Sequence, residues 1–79
     1  MANDVANKLT RKLGLKQTPG KDVMKQFAQR ARELQEQGNT VDQAAMKAAA
    51  EMFPAEFKAA AYAGASDSME TLLADIEGL

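Results

Sequence analysis

Strand-forming material is scarce in this chain. Of its 79 residues only three Val, one Ile and four Thr are β-branched, and no run alternates apolar with polar side chains. Ala, Leu, Glu, Gln, Lys, Arg and Met dominate, the residues that lose least on entering a helix. The chain therefore reads as all-α, a single small helical domain over residues 1–79, folded as a compact bundle of four to five short helices. Volume is what limits such a bundle. Apolar residues make up 46% of the sequence, but 16 of them are Ala, leaving seven Leu, five Met, three Val, three Phe, one Ile and one Tyr to fill a core. A domain this small and thin is expected to draw part of its stability from a partner or from a second copy of itself.

Local punctuation places the helices. Asn3 is suited to cap a first helix whose inward stripe is Val5, Leu9 and Leu13 with Ala2 and Ala6 beside it, and Gly14 is its natural stop. Leu15 to Gly20 reads as a linker in which Thr18 caps, and Pro19 opens, a second helix running to Gln37. Val23, Met24, Phe27, Ala28, Ala31 and Leu34 share one face of that helix. Gly38 and Asn39 end it, and Thr40 with Gln43 three residues later forms a capping box for a third helix, with Val41, Ala45, Ala48 and Met52 inward and Met46, Ala49 and Phe53 widening the stripe. Pro54 disfavours a helical Phe53, so the helix either ends there, the favoured reading, or kinks and continues to Ala63. The apolar segment Ala55 to Ala63 is expected in the centre, anchored by Phe57 and closed by Gly64. Ser66, or else Ser68, caps a last helix with Met69, Leu72, Leu73 and Ile76 in one stripe and Gly78 at its end. With linkers this short, successive helices should be antiparallel or sharply angled neighbours.

Much chemistry is excluded by composition. Without Cys or His the chain has no thiol nucleophile, no imidazole base, no disulfide and no zinc site of the usual kind, and its eleven carboxylates are scattered singly rather than ordered as a calcium loop. Tyr62, Ser66 and Ser68 lack an imidazole to activate them. No catalytic residue, metal or cofactor is therefore expected, and the protein reads as non-enzymatic. Gly14 to Lys21 runs Gly-Leu-Lys-Gln-Thr-Pro-Gly-Lys, one residue longer than a phosphate-binding G-x-x-x-x-G-K loop, with Asp22 where Ser or Thr would hold Mg²⁺. It reads as a helix stop, a turn and a helix start. No window is apolar enough for a membrane span and the first residues lack a signal-peptide core, so a soluble, cytoplasmic protein is expected.

Two stretches resemble known modules. Leu34, Gly38, Thr40 and the Ala44-Ala45 pair resemble the turn and second helix of bacterial helix-turn-helix domains. That resemblance implies a turn at Gly38, a cap at Thr40 and a close helix crossing at Ala45. Asn39 stands where the pattern usually has an apolar residue, and the outward side of the would-be recognition helix carries Asp42, Gln43, Lys47 and Glu51, net negative where phosphates would approach. Met52-Phe53-Pro54 and Leu72-Leu73 resemble the two ends of a CUE- or UBA-type ubiquitin-binding module, with an interval several residues short of that pattern.

The charge layout is the one feature that points outward. Residues 1–32 hold eight of the ten Lys/Arg against Asp4 and Asp22, a balance of +6, while residues 33–79 hold Lys47 and Lys58 against nine acids, a balance of −7; the net −1 conceals a dipolar molecule. Helical spacing gathers Lys8, Arg11 and Lys12 away from the Leu stripe, with Lys16, Lys21 and Lys25 following. These six cations are the candidate partner-binding residues. With no aromatic interleaved before Phe27, a protein partner suits them better than nucleic acid. The expectation is a small accessory, inhibitor or assembly factor of bacterial or phage type, docking through a basic N-terminal face. The alternative is a nucleic-acid-binding protein using the Gly38 turn, and the dipole also permits homo-oligomers joined head to tail.

Overall fold

Each helix stop read from the sequence is close to where a helix ends. The computed structural model describes residues 2–79, giving for Ala2 and Asn3 the backbone alone. It holds five helices: α1 (Ala2–Leu13), α2 (Lys21–Glu36), α3 (Val41–Met52), α4 (Ala59–Gly64) and α5 (Met69–Glu77). The side chains of Ala2 and Asn3, expected beside the core stripe and as the cap of α1, lie outside the described residues. Among the described residues no helix is long and apolar enough to cross a membrane.

The buried residues form one cluster, in which Leu9, Leu13, Met24, Phe27, Leu72, Leu73 and Ile76 are the large side chains. α2 supplies Met24, Phe27, Ala28, Ala31 and Leu34, and α5 supplies Met69, Leu72, Leu73 and Ile76. α3 contributes alanine only: Ala44, Ala45, Ala48 and Ala49 are fully buried, so its backbone lies close against its neighbours. Val41, Met46, Met52 and Phe53, read as part of that stripe, are half-buried at its margin. Val23 is 36% exposed and stands outside the core face assigned to it. α2 and α3 are close neighbours, whereas α1 packs mainly on α4 and α5 and only lightly on α2.

Three boundaries differ from expectation. Gly14, at φ +73°, ends α1 in a Schellman-like turn whose Leu15 N–H reaches back to the Thr10 carbonyl at 3.0 Å. That turn folds Leu15 into the core, so it is no mere linker residue. The chain then stays irregular through Gly20, which is the N-cap of α2 without a side-chain hydrogen bond; Thr18 and Pro19 do not start the helix. After Phe53, which caps α3, the Phe57 N–H bonds the Phe53 carbonyl and the Lys58 N–H bonds the Leu13 carbonyl, both near 3 Å. The segment is pinned in a turn and α4 begins only at Ala59. Its inward residue is Tyr62, while Phe57 is half-buried and Ala59, Ala60 and Ala63 face out. The expected central segment is thus peripheral, its backbone held at the edge by the Phe53 and Leu13 carbonyls. Ser68 rather than Ser66 caps α5, accepting from the Thr71 N–H at 3.4 Å. The capping box of α3 forms as read, with both reciprocal hydrogen bonds between Thr40 and Gln43.

The two positive-φ glycines differ in surroundings. A Cβ on Gly14 would lie 2.9 Å from the Ala61 Cβ, whereas one on Gly38 (φ +105°) meets nothing within 4 Å. Gly38→Ala should cost about 1 kcal/mol from backbone strain alone, and Gly14→Ala roughly 2–3 kcal/mol because strain and overpacking add. Urea denaturation of the two variants checks the order; equal losses would contradict the packing of α4 on the end of α1.

Candidate functional site

Lys12 is where the structure parts most clearly from the expected docking face. Its side chain is buried, the residue being only 7% exposed. Its ammonium donates to the carbonyls of Tyr62 at 3.0 Å and Ala65 at 2.9 Å, and lies 4.3 Å from the centroid of the Tyr62 ring. Those carbonyls end α4, where helical acceptors go unpaired, so Lys12 acts as a C-terminal cap delivered from α1. A lysine can do this because its long methylene stem lies along apolar surface while the head reaches a polar partner. Helical spacing alone gives it the same register as a solvated neighbour, and the assignment of Lys12 to the partner-binding set is corrected here.

Tyr62 is the pivot of this arrangement. Its hydroxyl donates to Asp42 at 2.6 Å, tying α4 to the first turn of α3. Burial first, then the bond and charge of Asp42, push the phenol well above its ordinary value, which keeps it a donor. Tyr62 thus joins Lys12 and Asp42 as a structural link. In the sequence its one signal was being the lone aromatic in an alanine run.

The three arginines are all engaged with acids. Arg11 reaches Asp67 at 3.0 Å, and as an exposed pair it ties α1 only loosely to the α4–α5 loop. Arg30 meets Glu51 of α3 through two nitrogens at 2.8 and 3.1 Å and Glu33 at 3.4 Å. Arg32 lies between Glu70 and Glu77 of α5, with four contacts of 2.7–3.2 Å, and also bonds Gln35. The hydrogen bonds from Arg32 hold the Glu70 and Glu77 carboxyls below their ordinary value near 4.5, and those from Arg30 do the same to Glu51. In return both guanidiniums are pushed higher still.

The remaining candidate cations diverge. Lys8, Lys16, Lys21 and Lys25 are exposed and, among the described residues, stand in no ion pair. Lys16 is held through its backbone N–H, which bonds Glu56 at 2.8 Å. Lys21 and Lys25, one turn apart, share a face at the start of α2. Lys25 lines a groove of about 540 Å³ between α2 and α5, with Gln29, Arg32, Glu33, Glu36 and Glu77. Lys8 lines a second groove, of about 450 Å³, between α1 and the end of α5. One continuous basic face of six residues is therefore not assembled. Of the other lysines, Lys47 donates to the Asn39 side chain at 2.6 Å and Lys58 is exposed beside α4.

The two stretches that resembled known modules have definite surroundings. Gly38 turns the chain between α2 and α3, and Ala45 is fully buried. The polar residues on the outer side of α3 are occupied within the chain: Asp42 by Tyr62, Lys47 by Asn39 and Glu51 by Arg30. Leu72 and Leu73 are buried in the core, so that pair presents no docking edge. Among the described residues no group of three or more acidic side chains gathers as a metal cluster. No family model matches the chain, nor does a curated protein or a solved structure.

Two measurements test this layout. Lys12→Met should cost about 2–3 kcal/mol, the worth of charge-assisted bonds to buried carbonyls, and Arg11→Gln less than about 1 kcal/mol; equal losses in urea would contradict the buried cap. Carboxylates depressed by their arginines stabilise the fold above the unfolded value and lose that contribution as pH falls. The melting temperature should therefore hold from neutrality to about pH 5 and drop below it, with a smaller drop in Arg32→Gln. An unchanged acid profile in that variant would contradict the Arg32 bridge.

Proposed function

We propose that this protein is a non-enzymatic docking module that binds an acidic surface on another protein, as an accessory, inhibitor or assembly factor. The observation that supports the reading is the sorting of its cations. Lys12 is buried and the arginines are paired with acids, Arg11 only loosely, while the other four lysines between residues 8 and 25 keep solvated ammonium groups with no ion pair among the described residues. Lys16, Lys21 and Lys25, on the linker and the first turns of α2, are the favoured contact, with Lys8 as an outlying contributor. Ammonium groups steer an acidic partner over a Debye length and then exchange water for its carboxylates.

The rival reading is nucleic-acid binding, favoured by the Gly38 turn, the Thr40 cap and the buried Ala45. Against it, the outer side of α3 carries Asp42 and Glu51 and its polar groups already have partners.

The deciding experiment compares wild type with Lys16→Glu/Lys21→Glu/Lys25→Glu. Acidic proteins retained from the native host by the wild-type chain should be lost by the variant, with its melting temperature unchanged, and a random DNA duplex should not bind even at about 20 mM salt. Duplex binding that weakens steeply with salt and vanishes in the variant would replace this reading with the rival one.

A further inference from the structure

We infer that this chain self-associates head to tail, the linker of one copy entering the groove between α2 and α5 of the next. This goes beyond the partner reading, since it needs no second protein. The groove holds an excess of negative charge: Lys25 and Arg32 line it with Glu33, Glu36 and Glu77, and Glu70 reaches Arg32 from α5. Arg32 is shared by two carboxylates, and so is Arg30, which meets Glu33 only at 3.4 Å. Glu36 is exposed and in no ion pair among the described residues. Glu33 and Glu36, one turn apart, therefore retain acceptor capacity at one end of a concave site.

The complementary surface is on the same chain. Lys16, Gln17, Thr18, Gly20 and Lys21 are all exposed, an open linker whose two end ammoniums stand in no ion pair among the described residues. Like-sign repulsion between copies is weak, because the whole molecule carries a net charge of only −1. Linker and groove are different patches, so the contact is heterologous: each added copy leaves a fresh groove at one end and a fresh linker at the other, and growth is open-ended rather than closed at a dimer. Surface ion pairs carry the contact, so it belongs to low salt and high protein concentration.

Sedimentation of two neutralised variants tests this. At about 1 mM protein and about 20 mM salt the wild type should show an average mass that keeps rising with concentration, falling at least tenfold in apparent association constant at about 0.5 M salt. Lys16→Gln/Lys21→Gln, which keeps its groove, and Glu33→Gln/Glu36→Gln, which keeps its linker, should each stay monomeric. An equimolar mixture should form a one-to-one pair and stop there, since only one contact can be made. Thermal melts confirm that both variants are folded. A monomeric wild type under these conditions, a wild type that stops at a dimer, or a mixture that stays monomeric while the wild type grows would each overturn the proposal.

Discussion

One buried ammonium group ties the first helix of this fold to the fourth. α4 has six residues, too few to persist by itself, and a single buried side chain, Tyr62. What holds it is polar: Lys12 of α1 on its terminal carbonyls and against its ring, Asp42 of α3 under its hydroxyl, and the Lys58 N–H on the Leu13 carbonyl. Three helices thus converge on one tyrosine. In a core whose fully buried α3 side chains are all alanine, such directional contacts supply a definition of position that side-chain volume does not.

The chain's lopsided ionic make-up is resolved by side-chain chemistry. Arginine presents a planar fork that matches a carboxylate at two points, and Arg30 and Arg32 use it to bind α2 to α3 and α5. The lysine ammonium is compact and strongly hydrated, and most of the lysines stay in water. Much of the positive N-terminal excess is thereby spent on joining helices, and the part that remains outward is narrower than the sequence count of eight cations implies.

Legibility followed the range of the forces involved. Gly14, the Thr40–Gln43 box, the break at Pro54 and the Leu72–Leu73–Ile76 stripe are encoded within a few residues and were readable from letters alone. The start of α2 differs from the sequence reading because the linker's course depends on Leu15 folding into the core, a tertiary event. Phe57 was put at the centre on its size, yet the hydrogen bonds around Phe53 and Leu13 fix its backbone at the edge. Lys12 and Arg11 looked alike as neighbours on a polar face. Their fates diverge because only Lys12 reaches carbonyls lying 50 and 53 residues further along the chain, a contact with no local signature.

The sharpest measurement is lysine reactivity across the chain. Brief acetylation of the folded protein by a small water-soluble reagent, quantified for each lysine by mass spectrometry, separates ammonium groups held inside from those in solvent. Lys8, Lys16, Lys21 and Lys25 should react together at the rate of free side chains, and Lys12 at least about tenfold more slowly, catching up only in denaturant. Lys12 reacting as fast as Lys8 in the folded state would contradict the buried clamp and the division of charges that rests on it.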